Sequence, residues 1–420
     1  MTGDSMNQDG AAQTVVVVGA GETGGSAVAT LREEGHRGRL VLVGAESRLP
    51  YGRPPLSKGY LLGTDEPWWV RPDQWYSDNS VELRLGTSVV GLDTKARRLA
   101  LDSGDWLDFD KLLIATGGRN RSLQLPGSDL DGLHSVRTIE EAEALMGAAT
   151  AGSRAVVIGM GFMGCELAAS LIGRKVEVTA VYGEAEPLER VLGPQIGGAI
   201  ARLQRAQGVH LSPLDSVIRF EGNGHVQAVV TKNLGAIPCD LVVVAVGIAL
   251  NLDPLGGSDL AVSNGILVDE RCQTSVPGIF AAGDIANHLH PLFGRIRVEH
   301  FNNAEKQGRA AALNMLGADQ PYDYVHTFWS DQYTHKLEYV GHAASWDQFV
   351  VRGDLDEGKL VGFYLARGRL LAAVGLDRGG DPEYDPEDEL GQCQRLIGAS
   401  IQVDPAQLAD EAVELKSLFP

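Results

Sequence analysis

Cysteine is scarce. The four cysteines of this 420-residue chain, Cys165, Cys239, Cys272 and Cys393, are widely separated, with no C-x-x-C and no ligand-like spacing to histidine. That excludes a zinc framework and a redox dithiol and leaves reduced thiols acting as small apolar side chains. Long apolar runs are missing as well. No stretch approaches the roughly 18 to 20 residues that span a bilayer, and the opening "MTGDSMNQDGAAQ" has neither the basic start nor the apolar core of a leader. A cytoplasmic protein without a membrane partner is expected. Positive charge is also in deficit: 36 Lys and Arg against 55 Asp and Glu give a net charge of −19. Nucleic acid and anionic lipid both demand a basic surface, so neither is expected as the main partner.

Glycine, in contrast, is abundant. With 52 glycines and 44% hydrophobic residues, the length suits two or three α/β domains. Two segments repeat one pattern. "TVVVVGAGETGGSAVATLREEG" (14–35) runs from a continuous apolar stretch, as in a strand buried on both faces, through Gly19, Gly21 and Gly24 into a helical stretch. "RAVVIGMGFMGCELAASLIGRK" (154–175) does the same with Gly159, Gly161 and Gly164. A strand before and a helix after are the context that a dinucleotide fingerprint requires. The first glycine permits the tight turn, the second lets backbone approach a pyrophosphate, and the third brings helix against strand, so that free amides at the helix N-terminus meet the phosphates. Each unit is expected to hold one dinucleotide.

The strands that follow differ between the units. "RLVLVGAE" ends at Glu46, where a carboxylate can accept both hydroxyls of an adenosine ribose. "VEVTAVY" ends at Tyr182 instead, with Glu184 two residues further on and no arginine before Arg190. The absence of an early arginine favours NADH over NADPH in the second unit. Between the units, "LDFDKLLIATGGRNR" is a strand ending in Ala115-Thr116-Gly117, and "VPGIFAAGDIANHL" later supplies another ending in Gly283-Asp284. Asp284 lies too far from either fingerprint to belong to its first βαβ unit. The second unit therefore reads as an insertion within the first, whose strands resume near residue 249; Asp284 itself could cap a helix. From about residue 328, "KLEYVGHA", "QFVVRGDL" and "KLVGFYLARGRLLAAVGL" alternate as antiparallel strands. A helix-like "PAQLADEAVELKSLF" closes the chain, and the acidic "DRGGDPEYDPEDELGQ" reads as a solvated loop.

One stretch, "PYGRPPLSKGYL" (50–61), poses a separate question. Pro54 and Pro55 remove two amide donors, while Arg53 and Lys58 flank them. "YGRPPLSKGYL", "VEHFNNAEKQGRAAALNMLG" and "FWSDQY", in this order with the two glycine fingerprints and the Ala-Thr-Gly and Gly-Asp strands, resemble the FAD-dependent ferredoxin reductases of oxygenase systems. The likeness runs from Thr14 to Phe419. It implies an α/β fold with two Rossmann-like dinucleotide-binding domains, glutathione-reductase-like, plus a C-terminal α+β domain. The implied FAD-binding domain is discontinuous (1–117 and 249–327), the NAD-binding domain is 118–248 and the C-terminal domain is 328–420.

By the same resemblance, Lys58 lies close to the flavin N5 and pairs with Glu166, steadying the negative charge of the reduced flavin. Gly19, Gly21, Gly24, Glu46, Arg53, Val89, Thr116, Arg137 and Asp284 are implied FAD contacts. Phe301 and Trp329 are implied to border the flavin, and Gly159, Gly161, Gly164, Glu184 and Gly247 to bind NADH. Phe301 stands where many members carry Trp, and Leu250 replaces a proline usual before Asn251. The implied reaction takes electrons from NADH through FAD to an iron–sulfur ferredoxin that feeds a terminal oxygenase, in a monomer or homodimer. No metal site is implied. Residues 1–164 contain no cysteine, which sets aside relatives that use a redox thiol there. A monodehydroascorbate or quinone reductase and a non-catalytic NADH-sensing flavoprotein of apoptosis-inducing-factor type stay open. Arg295, Arg297 and Arg309 are candidates for a local basic patch that an acidic ferredoxin could meet.

Overall fold

The computed structural model describes residues 13–419; the polar opening through Ala12 lies outside them. The described chain divides into two compact units. The first comprises the chain up to Gly52, Pro67–Arg119 and Ala249–Tyr324, and the second comprises Arg53–Glu66, Asn120–Ile248 and the chain from Val325.

In the first unit, five parallel strands run in the order Ile279–Ala281, Lys111–Ile114, Val15–Val18, Leu40–Gly44, Val81–Leu85. Strand Val15–Val18 is four consecutive valines, all buried. Successive side chains point to opposite faces, so Val16 and Val18 enter one core with Val41, Leu112, Leu101 and Leu107, and Val15 and Val17 enter another with Leu40, Leu113, Val28 and Ala311. That explains why the sequence is apolar without alternation: both faces are covered. Helices Glu22–Glu33 and Phe301–Met315 pack on one face, and an antiparallel meander of Val89–Asp93, Arg98–Leu101 and Trp106–Asp108 lies among the residues of the other core. The late strand Ile279–Ala281 pairs in parallel register with Lys111–Ile114, so the sheet is completed by chain from much later in the sequence.

The second unit repeats this plan. Strand Arg154–Ile158 sits between Glu177–Val181 and Leu241–Val244, with His210–Ser212 and Leu133–His134 at the edges. The unit also contains a five-stranded antiparallel sheet in the order Thr327–Gln332, His335–Gly341, Arg369–Leu376, Lys359–Ala366, Gln348–Asp354. Ser57, Lys58 and Leu61 tie the segment Arg53–Glu66 to helix Phe162–Gly173 and the residue after it. Ser57 Oγ donates to Glu166, Ser170 Oγ donates to the Ser57 carbonyl, and Arg174 Nη1 donates to the Leu61 carbonyl.

Two expectations for the last stretch need correction. "PAQLADEAVELKSLF" is not one helix: it forms the short helix Pro405–Ala409, capped by Asp404, and a separate 3-10 turn at Leu415–Leu418, with extended backbone at Asp410. Buried Arg352 donates to the carbonyls of Leu408, Glu411 and Val413, and those side-chain bonds replace the amide partners a continuous helix would supply. The acidic segment is not uniformly solvated either. Tyr384 is 83% exposed, but Glu389 opens helix Glu389–Ala399 and pairs with Arg352 and Arg378, each at 2.8 Å.

Candidate functional site

The two glycine triplets have nearly identical geometry. Gly19 has φ +112°, and a Cβ there would lie 2.1 Å from the Ala115 carbonyl oxygen; Gly159 has φ +94°, with the Ala245 carbonyl oxygen at 2.5 Å. A Cβ on Gly24 would meet the Gly19 carbonyl oxygen at 1.9 Å, and one on Gly164 the Gly159 carbonyl oxygen at 2.0 Å. The middle glycines behave differently: a Cβ on Gly21 or Gly161 would have nothing within 4 Å. First and third glycines are therefore demanded by the fold, whereas the middle one borders open space. Gly21 and Gly161 are also the N-caps of helices Glu22–Glu33 and Phe162–Gly173, and neither helix has a side-chain cap. Each helix thus presents first-turn amides beside that space, an arrangement suited to an anion.

Around the first cradle, Glu46 lies two residues beyond strand Leu40–Gly44 and accepts a hydrogen bond from Tyr51 Oη at 2.6 Å. Thr116 follows strand Lys111–Ile114 closely and is locked reciprocally to Asn251: Thr116 Oγ1 donates to the Asn251 carbonyl at 3.1 Å, and Asn251 Nδ2 donates to the Thr116 carbonyl at 2.9 Å. Val89 begins the meander, and its side chain is core. Asp284 is not the N-cap residue of the turn it occupies. It sits inside the 3-10 turn Gly283–Ile285, whose cap position is Ala282, and the Gln307 side chain accepts from the Gly283 amide at 2.8 Å. Phe301 starts its helix and meets Trp68 edge to face, with centroids 5.9 Å apart.

Phe301 and Trp68 also line an open groove with Glu22, Trp69, Arg71 and Glu305, which the sequence reading missed. Trp68 and Trp69 are each 46% exposed; adjacent tryptophans in a polar stretch were the available signal. Burial pushes the Glu22 carboxyl up to about 7, against the hydrogen bond from Ser26.

In the second unit, Lys58 Nζ lies 2.7 Å from Glu166 Oε2. Glu166 is 4% exposed and accepts two more hydrogen bonds, from Ser57 Oγ at 2.5 Å and Ser330 Oγ at 2.8 Å. The ammonium comes from the residue that ends the 3-10 turn Pro54–Ser57, where Pro54 supplies the helical φ and needs no amide partner. The carboxylate comes from the first turns of the helix behind Gly161. Three donors to one carboxylate satisfy a charge that burial would otherwise penalise. Ser57 and Ser330 were not singled out in the sequence; "FWSDQY" contains Ser330, but nothing local showed what its hydroxyl meets. Arg53 donates to the Arg137 carbonyl. Glu184 pairs with Arg190 two residues into the following helix. Gly247 has φ +88° with open space around it, and its carbonyl accepts from the Arg121 amide at 3.0 Å.

All four cysteines are free and buried. Burial pushes the Cys239 thiol up to about 11 and those of Cys165, Cys272 and Cys393 well above the ordinary thiol range. None has the lowered pKa of a reactive thiolate.

Residues 13–308 match the family model described as pyridine nucleotide-disulphide oxidoreductase, and residues 327–419 match the reductase C-terminal model. The chain belongs to the pyridine nucleotide-disulphide oxidoreductase family. This oxidoreductase is 38% identical to the anthranilate 1,2-dioxygenase system ferredoxin–NAD(+) reductase component of Burkholderia cepacia, over 97% of its own length and 100% of that protein. It is 35% identical to rhodocoxin reductase of Rhodococcus erythropolis, covering 96% of this chain and 93% of the other. Putidaredoxin reductase, in a crystal structure of its covalent complex with putidaredoxin, matches with a TM-score of 0.91 at 34% identity, over 97% of this chain and 98% of that one. The family implies FAD and a pyridine nucleotide. Two open cradles, each with an uncapped helix N-terminus, fit two dinucleotides. Among the described residues no group of His, Cys, Asp and Glu could hold a metal ion, and no helix is long and apolar enough to cross a membrane.

Proposed function

We propose that this oxidoreductase passes electrons from NADH through FAD to a small iron–sulfur ferredoxin that feeds an oxygenase, as the names of its relatives suggest, and that it does so in the cytoplasm. The observation that carries the reading is the buried ion pair of Lys58 and Glu166 in a chain with two dinucleotide cradles and no activated thiol. A flavin held here would supply the conversion between two-electron transfer from a nicotinamide and one-electron transfer to an iron–sulfur partner.

The proposed roles of this chain's residues follow from their chemistry. Gly21 lets backbone approach the FAD pyrophosphate, Glu46 accepts from the adenosine ribose, and Arg53, Val89, Thr116, Arg137 and Asp284 complete the FAD set with Gly19 and Gly24. Gly159, Gly161, Gly164, Glu184 and Gly247 receive NADH. Glu184 supports NADH over NADPH because a carboxylate accepts from ribose hydroxyls and repels a 2′-phosphate, although Arg190 partly offsets that repulsion. Phe301 and Trp329 border the flavin. Lys58 supplies a fixed ammonium to the reacting edge, and Glu166 with its two serine donors keeps that ammonium in place.

Anaerobic addition of NADH to the FAD-loaded protein tests this directly. The expected result is bleaching of the flavin absorbance, faster with NADH than with NADPH, followed by rapid reduction of an iron–sulfur protein encoded alongside it. Lys58→Met is expected to slow the bleaching by about 10- to 100-fold while flavin stays bound. A protein that reduces dyes but no ferredoxin, or a Lys58→Met variant as fast as wild type, contradicts the reading.

A further inference from the structure

Strand Thr327–Gln332 lies at the edge of its antiparallel sheet, so backbone pairing fixes it on one side only. Side chains do the rest. Phe328, Ser330 and Gln332, at every second position, are buried, while Trp329 and Asp331 are half-buried. Phe328 meets Phe162 edge to face with centroids 4.8 Å apart, Ser330 Oγ donates to Glu166 Oε1 at 2.8 Å, and Gln332 Oε1 accepts from Gln204 Nε2 at 2.9 Å. Gln204 lies in helix Glu189–Ala206 and is fully buried. Its Nε2 also donates to the carbonyl of Cys165, the residue before Glu166, at 3.2 Å, and its Oε1 accepts from Tyr333 Oη at 2.8 Å.

The donor and acceptor atoms of the Gln204 amide are thus both engaged. A backbone carbonyl can only accept, so turning the amide over would set oxygen against oxygen at Cys165; its orientation is fixed. Tyr333 follows the strand in the two-residue turn between Gln332 and its ladder partner His335, at φ +59°, a left-handed conformation rare for a bulky residue. Its hydroxyl bond to Gln204 offsets that strain. Gln332 Nε2, in contrast, has no hydrogen-bond partner among the described residues. A buried donor without an acceptor lowers stability, so a fixed register, not added stability, is what the amide pair contributes. A slip of one residue would turn Ser330 away from Glu166.

We propose that Gln204 is a positioning residue. Through Gln332 and Tyr333 it pins the end of the edge strand so that Ser330 meets Glu166, and in this way it steadies the carboxylate that holds Lys58. The inference rests on the functional reading above for its bearing on flavin reduction, and on the hydrogen bonds alone for its bearing on the strand.

The test uses the full FAD-loaded chain and two readouts. Hydrogen exchange followed by mass spectrometry compares wild type with Gln204→Met, which keeps the volume and removes the amide. The amides of Thr327–Gln332 are expected to exchange about fivefold faster or more in the variant, with those of Lys359–Ala366 in the same sheet unchanged. The rate of flavin bleaching at saturating NADH is then measured in Gln204→Met, Ser330→Ala and the double variant. Each single change is expected to slow bleaching by about 5- to 10-fold. The double variant is expected to be no slower than the slower single one, because both changes act through the same hydrogen bond to Glu166. A residue that merely supported the fold would give losses that multiply. Unaltered exchange over Thr327–Gln332, bleaching as fast as wild type in Gln204→Met, or multiplied losses in the double variant overturns the proposal. If Gln204→Met does not fold, Tyr333→Phe, which keeps the ring and removes one hydrogen bond to Gln204, takes its place in both comparisons with the same expected directions. If NADH does not bleach the wild-type flavin, the functional reading fails, and the exchange comparison alone decides whether Gln204 holds the strand.

Discussion

At the scale of single residues, what matters is how a buried charge is kept. Glu166 has three donors and stays matched to Lys58, so truncating either partner leaves the other charge in a dry site and costs about 3 kcal/mol or more. Glu338 is a contrasting case. It is 5% exposed, and burial pushes its carboxyl up to about 7 despite the neighbouring Lys336 ammonium. Between about 4.5 and about 7 the folded protein holds a proton that the unfolded chain has lost, so this group makes stability fall as pH rises through that window. Glu338→Gln is expected to match wild type near the bottom of the window and to exceed it above the top by on the order of 1 kcal/mol. Urea unfolding at both ends checks this; an unchanged pH slope in the variant contradicts it.

At the scale of elements, the strand–glycine–helix turn is the repeated device, and its three glycines separate folding from binding. Gly24→Ala places a methyl 1.9 Å from a backbone oxygen, and we expect a loss of about 3 kcal/mol. Gly21→Ala meets no atom within 4 Å and is expected to leave intrinsic stability within about 0.5 kcal/mol, yet to weaken flavin retention because the methyl occupies the space beside the helix amides. Gly161→Ala is the counterpart in the second unit: normal flavin content, raised KM for the nicotinamide nucleotide. Apoprotein thermal unfolding and flavin absorbance separate these outcomes. A Gly21→Ala protein that unfolds as early as Gly24→Ala would show that the middle glycine is structural.

At the scale of the whole molecule, charge sets how a partner is met. The chain carries a net charge of −19, and the three arginines considered for a basic patch are occupied or offset. Arg295 donates to the carbonyls of Val268 and Asn287, Arg297 pairs with Glu299 at 2.5 Å, and Arg309 lies 3.6 Å from Glu305. Steering by opposite charges weakens as salt rises. With two of these three cations paired to carboxylates in a chain of strongly negative net charge, the electron-transfer rate to the partner is expected to fall by less than about tenfold when sodium chloride is raised from about 50 to about 500 mM. A steeper fall in stopped-flow traces would point to an uncompensated basic surface elsewhere.

The sequence by itself determined whatever depends on neighbours along the chain. Apolar runs and glycine spacing specified two strand–turn–helix units, because tight turns and close helix–strand approach are decided within a few residues. Apolar runs separated by Gly-containing turns likewise marked the antiparallel strands after residue 328. Only the tertiary structure decided which distant groups meet. Glu166 is 164 residues from Ser330, and Thr116 is locked by Asn251, 135 residues away; no local signal encodes such partners, and the pairing of Lys58 with Glu166, 108 residues away, was legible only through the family resemblance. The closing segment makes the same point in reverse. Its residues favour a helix, but carbonyls bonded to a buried arginine from another strand broke it in two, since satisfying that guanidinium outweighs a few residues' helix propensity.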